Sequence, residues 1–224
     1  MRVVSLVPSV TETLLAWDVV PVGVTRFCEH PELTAVGGTK DPDVPAILGL
    51  RPDIVVVNDE ENRREDADAL AAAGVDVHVV RIGAVADVAP ALAALADRLH
   101  LAPPEPAPLP EPHELGLSAF VPIWRRPWMT LDATTYGSSV LAHLGITNVF
   151  AEAASRYPQV TLEAAAAGRP DVVLAPSEPY PFGPRHEAEL AAVAPVRFVD
   201  GQDLFWWGVR TPAALERLAS ALNA

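Results

Sequence analysis

The chain has 224 residues, half of them hydrophobic and a fifth charged, enough for two small lobes or one large α/β domain. Its 29 acidic and 16 basic residues leave a formal net charge of −13, which argues against nucleic acid and against an anionic membrane surface. One cysteine, Cys28, excludes an internal disulfide and an all-thiolate zinc site, and no apolar run reaches the ~18 residues that span a bilayer.

Met1-Arg2 leads directly into a core strand predicted over 3–7. With no signal sequence ahead of it, the chain as written is expected to be cytoplasmic, or periplasmic or cell-surface if it is a trimmed mature form. A helix is predicted over 10–17, opened by Ser9 and Glu12 as a capping box. A short apolar stretch at 21–24 ends in a loop carrying Phe27, Cys28, Glu29 and His30, where Cys28 and His30 are candidate ligands for a soft or borderline metal. Gly-Leu-Arg-Pro-Asp-Ile-Val-Val-Val at 49–57 closes a helix and starts a β-branched run of the kind found in buried parallel strands. Asn58, Asp59, Glu60 and Glu61 follow it, then a helix over 62–73 ended by Gly74, a strand over 75–80 and a helix over 85–99.

Residues 102–112 hold six prolines, each of which removes a backbone donor, so they are expected to form an extended spacer. Beyond it the pattern repeats at an offset near 118 residues. A strand is predicted over 118–123, a helix over 135–144, an apolar stretch over 145–149, and Gly-Arg-Pro-Asp-Val-Val-Leu at 168–174 mirrors the earlier Pro-Asp strand. A strand over 196–199 and a helix over 211–222 close the chain. The expected fold is therefore two similar βαβ lobes, 1–101 and 117–224, with mainly parallel sheets, a linker at 102–116 and a ligand cleft between the lobes.

Ligands of parallel α/β lobes collect at the carboxyl ends of the strands, and the residues placed there are unusual. The second half offers Trp124, Arg125 and Trp128, then Glu178 and Tyr180, then Phe205, Trp206 and Arg210. Four of the five tryptophans fall in such loops close to arginines, a composition suited to the walls of a large flat ligand. Nucleophile elbows, phosphate loops, dinucleotide fingerprints and zinc-protease motifs are all absent from the sequence.

Several ordered motifs resemble a known family: Pro-Ser-Val-Thr-Glu at 8–12, Pro-Val-Gly-Val-Thr at 21–25, Gly-Gly-Thr-Lys-Asp-Pro at 37–42, Pro-Asp-Ile-Val at 52–55 and Glu-Glu-Asn-Arg at 60–63. Trp-Arg-Arg-Pro-Trp-Met-Thr at 124–130, Arg-Tyr-Pro at 156–158, Ser-Glu-Pro-Tyr-Pro-Phe at 177–182 and Trp-Gly-Val-Arg at 207–210 extend the match over nearly the whole chain. They are similar to the cobalamin and ferric-chelate substrate-binding proteins of ABC importers, the helical-backbone metal receptors of periplasmic-binding-protein class III type. The resemblance implies a non-catalytic binder of a corrinoid, haem-like or metal-chelate ligand, acting as a single copy and docking on an ABC permease. It assigns aromatic contacts to Phe27, Trp124, Trp128, Tyr180, Phe205 and Trp206, and polar contacts to Glu60, Arg125, Glu178 and Arg210. Here the proline-rich linker stands in place of much of the long inter-lobe helix of that family. The alternative is a cytoplasmic enzyme or metal-binding protein reusing the cleft, with Glu60, Glu61, Glu178 or Cys28 as working groups; a third reading is an interaction module whose aromatic loops dock a partner protein.

Overall fold

The computed structural model describes residues 1–102, 105 and 107–223, so Pro103, Pro104 and Pro106 of the proline-rich run lie outside the described residues. The chain divides into two compact units. The first comprises Met1–Ile82, Ala86–Ala107 and Trp207–Val209; the second comprises Gly83–Val85, Pro108–Trp206 and Arg210–Ala224.

The first unit is built on β1 (Val3–Ser5), β2 (Gly23–Val24), β3 (Ile54–Asn58) and β4 (Asp76–Val80), all parallel, in the order β2-β1-β3-β4. Helices α1 (Pro8–Ala16), α2 (Val44–Gly49), α3 (Arg64–Ala72) and α4 (Val85–Arg98) connect or follow these strands. β3 is buried at every position, as its unbroken β-branched run requires, and Val55 and Val57 pack with Val4, Leu6, Ile47 and Leu70. The second unit repeats the arrangement with β5 (Leu117–Phe120), β6 (Ile146–Asn148), β7 (Val172–Pro176) and β8 (Val196–Val199), again parallel, in the order β6-β5-β7-β8. Its helices are α5 (Tyr136–His143), α6 (Leu162–Ala167), α7 (Glu187–Leu190), α8 (Gly201–Phe205) and α9 (Thr211–Asn223), and Phe120, Val173, Ala175 and Leu190 lie in its core.

The Pro-Asp repeat does the same mechanical task in both units. Arg51 and Arg169, each before the proline, both turn the chain through φ +49° after a short helix. Asp171 then accepts the Ser118 N–H at 2.7 Å through its carboxylate and donates its own N–H to the Ser118 carbonyl at 2.9 Å. Asp53 exchanges the same two bonds with Arg2. Each aspartate thus ties the start of one strand to the start of its parallel neighbour and sets their register. The hydrogen bonds from the Ser118 side chain and backbone hold the Asp171 carboxyl below its ordinary value.

Element boundaries differ from expectation at both opening strands, which end at Ser5 and Phe120. α1 begins at Pro8 with Val7 as its cap residue, so Ser9 lies buried in the first turn and the expected capping box is not formed. A proline at the first helical position needs no donor and arrives with helical φ, so the helix starts two residues earlier than a serine cap would place it. Gly74 ends α3 at φ +85°, as its position predicts. Residues 107–116 carry neither helix nor strand, and their end is pinned to α5: His113 N–H donates to the His143 carbonyl at 2.9 Å, and His143 Nε2 lies 3.0 Å from the Pro110 carbonyl.

Candidate ligand-binding site

In the second unit three loops leave the carboxyl ends of the strands. The first follows β5, where Trp124 and Met129 bridge antiparallel and Met129 bridges on to Gln159. Ile123 N–H to Met129 O at 2.9 Å and Met129 N–H to Trp124 O at 3.1 Å close a tight turn. That turn presents Trp124, Arg125 and Trp128. The second loop follows β7, where Phe182 N–H bonds the Tyr180 carbonyl at 2.8 Å and sets Tyr180 and Phe182 side by side, ring centroids 4.7 Å apart.

The two loops interleave their rings. Trp124 meets Tyr180 edge-on at 5.6 Å, and Trp128 stacks on Phe182 at 5.9 Å with the planes 7° apart. The His186 ring stands edge-on to Tyr180 at 5.5 Å and to Phe182 at 5.4 Å. Phe182 is buried and packs with the core of the unit, with Trp128 and Tyr180 partly buried against it, whereas Trp124 remains 45 % exposed. The sheaf is therefore rooted in the hydrophobic interior and ends in one open indole face. Arg125 lies over Trp128 at 5.9 Å and is clamped to Glu189 by Nε at 3.0 Å and Nη2 at 2.9 Å. Burial works against its charge, but the bonds to Glu189 and Tyr180 outweigh that and hold the guanidinium above its ordinary value. Phe182, His186 and Glu189 complete the cluster and were not among the residues predicted to form it. Nothing local in the sequence ties His186 to Tyr180 and Phe182, or Glu189 to Arg125, which lies 64 residues away.

His186 is buried, and desolvation together with Arg185 and Arg125 lowers its pKa. A histidine with a depressed folded pKa lends stability that is complete above its unfolded value of about 6.5 and is lost as pH falls through the folded pKa. Thermal melts between about pH 7.5 and about pH 5 should show the melting temperature falling on the acid side. The fall should be smaller in His186→Gln, which cannot be protonated; identical slopes would remove His186 from the account.

The third loop follows β8. The Ser177 hydroxyl accepts the Gly201 N–H at 2.9 Å, and a Cβ on Gly201 would come within 2.5 Å of Glu178 N and Cγ. Only glycine lets the Glu178 segment pass this close to the start of α8. Phe205 packs its ring over Gly137, where a Cβ would stand 2.8 Å from it. Arg210 lies 5.3 Å from the Trp206 ring, and buried Asp203 holds Arg217 through bonds of 2.8 and 2.6 Å, with Arg210 3.8 Å away. Beside them Tyr136 Oη and Thr211 Oγ1 lie 3.1 Å apart, and burial pushes the Tyr136 pKa up to about 12. Trp207, grouped with these aromatics in the sequence, is a buried ring of the first unit, only 4 % exposed.

In the first unit the loop after β3 is organised by two buried asparagines. Asn62 accepts the Asn58 N–H at 2.8 Å and donates to the Leu6 and Thr39 carbonyls, both at 3.0 Å. Asn58 accepts from Glu60 and Glu61 N–H at 2.9 and 3.0 Å and donates to the Val80 carbonyl at 3.1 Å. The half-buried Glu60 and Glu61 are thereby placed at the carboxyl edge of the sheet, and Lys40 donates to the Glu60 carbonyl. Phe27 is 52 % exposed with Arg26 over its ring at 5.0 Å, and Arg26 is held by Asp41 at 2.9 Å. Cys28 sits 3.3 Å from Thr11 Oγ1, while His30 turns to Glu32 at 3.0 Å. Among the described residues, no three His, Cys, Asp or Glu side chains gather as a metal cluster, so Cys28 and His30 find no third ligand there.

No family profile matches the chain. It is 26 % identical over 190 residues to a vitamin B12-binding protein of Salmonella choleraesuis, covering 77 % of this chain and 71 % of that protein. A vitamin B12-binding protein of Vibrio parahaemolyticus is 25 % identical over 191 residues, with 77 % and 69 % covered. Among solved structures, the periplasmic vitamin B12-binding protein of Vibrio cholerae superposes with a TM-score of 0.77 at 22 % identity, over 99 % of this chain and 96 % of that one. A periplasmic heme-binding protein from Pseudomonas aeruginosa gives 0.78 at 22 % identity, over 99 % and 92 %. In fold the chain is similar to these periplasmic binding proteins, with two α/β units that each carry a parallel four-stranded sheet. The relatives it matches in sequence are vitamin B12-binding proteins.

Proposed function

We propose that the protein binds a corrinoid or a haem-like metal chelate, without catalysis, and delivers it to an ABC permease on the outer side of the membrane. The observation that carries this reading is the aromatic sheaf of Trp124, Trp128, Tyr180 and Phe182, anchored in the core and open at Trp124. A macrocycle offers a wide apolar face, and an exposed indole braced by a second ring gives it a rigid surface at little entropic cost. Arg125, fixed by Glu189 at the margin, suits the carboxylate or amide groups at the rim of such a ligand. Phe27 and Glu60, on loops at the carboxyl side of the first sheet, are proposed to supply the remaining contacts. Among the described residues no helix is long and apolar enough to cross a membrane, in keeping with a binding component whose permease is a separate chain.

Titrating the protein with cyanocobalamin and with hemin, and following tryptophan emission, tests the proposal. Quenching that saturates at one stoichiometry with at least one of them, at micromolar Kd or tighter, is the expected result. Unchanged emission and no heat of binding with either would overturn it.

A further inference from the structure

Tyr180 ties the open indole to a charged rim: it meets Trp124 edge-on at 5.6 Å, and its side chain hydrogen-bonds Arg125. The Arg125 guanidinium also lies over Trp128 at 5.9 Å, and its Nε and Nη2 stand 3.0 and 2.9 Å from a single oxygen of Glu189, Oε2. The two side chains are only 21 % and 38 % exposed, so each charge acts on the other with little screening by water. Arg126 and Arg185, the nearby arginines, are exposed, and solvent screens them.

This arrangement decides what the rim can grip. A guanidinium carries more N–H donors than its bonds to Glu189 and Tyr180 use, so Arg125 can still donate to a ligand. Its charge, however, is already met by Glu189. A neutral amide carbonyl gives up little hydration on accepting such a bond, and the bond itself makes that good. An ionised carboxylate gives up far more, and it would share the guanidinium with a second carboxylate of the same sign. Repulsion from Glu189 then cancels much of the attraction to Arg125.

Building on the macrocycle binding proposed above, we infer that Glu189 is a specificity-determining residue: by offsetting the charge of Arg125, it makes this margin select macrocycles rimmed with neutral amides over those rimmed with carboxylates. Glu189 acts through Arg125, without touching the ligand.

Matched ligands that differ only at the rim test this assignment. Cyanocobalamin and its b-, d- and e-monocarboxylic acids, each with a carboxylate in place of one amide, form one set; hemin and its bis-amide form the porphyrin pair. By isothermal titration, wild type should hold the amide form at least about fivefold tighter than at least one of its acid counterparts. Glu189→Gln keeps a hydrogen-bond acceptor beside Arg125 and removes the charge. It should tighten binding of that acid at least about fivefold while leaving the amide form within about twofold. A merely structural role would move both forms together. Glu187→Gln, at an exposed acid of the same helix, makes the same change in net charge and should leave the ratio of affinities at its wild-type value. Equal wild-type affinity for amide and acid forms, a ratio unmoved by Glu189→Gln, or one moved as far by Glu187→Gln would overturn the inference and leave macrocycle binding standing. Wild type that binds neither ring would instead remove macrocycle binding, and the role of Glu189 with it.

Discussion

Trp124→Ala should lower ligand affinity about tenfold to a hundredfold while leaving the melting temperature within a few degrees of wild type. The two halves of this expectation have separate physical grounds. Trp124 is 45 % exposed and its main ring contact is the edge of Tyr180 at 5.6 Å, so folding draws little from it. Such an edge contact is worth about 0.5–1.5 kcal/mol beyond the area it buries. A bound macrocycle would cover the remaining indole face, and truncating a tryptophan at the centre of an interface removes about 2 kcal/mol or more. Trp128→Ala should behave differently. That ring stacks on buried Phe182 and packs against the core, so its loss lowers both stability and binding. Phe198, 40 % exposed on edge strand β8, is the control: Phe198→Ala removes an aromatic of similar exposure and should leave affinity unchanged. Isothermal titration and thermal melts on the three variants separate these outcomes. Equal affinity for Trp124→Ala and wild type would show that the open indole is not a ligand wall.

How much of this was legible in the sequence depends on the distance over which each feature is specified. The duplicated βαβ plan was legible because buried parallel strands demand continuous β-branched runs, and the Pro-Asp pairs before β3 and β7 carry their own local geometry. Trp124, Arg125, Trp128 and Tyr180 were legible as a group because each follows a strand of the same sheet. His186 and Glu189 were not: they join the cluster only because the short helical turns after β7 bring His186 against Tyr180 and Phe182 and Glu189 against Arg125. Trp207 misled, since one buried and one half-buried indole look alike when adjacent in a loop. The start of α1 was missed because a proline preset to helical φ overrides the serine that would otherwise cap. The asparagine lock is the least legible feature, for Asn62 reaches a carbonyl fifty-six residues away, and no local pattern encodes that bond.

That lock yields the second large effect. Asn62→Ala should cost about 2–4 kcal/mol and lower the melting temperature by roughly 5–15 °C. Asn62 is 8 % exposed and makes three bonds at once, so its removal leaves the buried Asn58 N–H and the Leu6 carbonyl without the partner they have in the native fold. The site is also positional, because the same knot fixes the loop bearing Glu60, so Asn62→Ala should weaken ligand binding as well. Asn62→Asp separates the donor from the acceptor. The new carboxylate keeps the bond from Asn58 N–H, but faces two carbonyl oxygens, each 3.0 Å from the lost amide nitrogen. Repulsion from both oxygens, together with burial, raises the folded pKa of that carboxyl above its unfolded value of about 3.9. The anion is therefore the destabilising form, and the aspartate variant should regain stability as pH falls through the raised folded pKa, when the carboxyl can donate one O–H. Asn62→Ala has no such group and should show no recovery beyond the wild-type pH profile. If melts of the two variants run parallel from about pH 7 to about pH 5, the amide donates nothing that matters, and the loop after β3 must be held by its backbone alone.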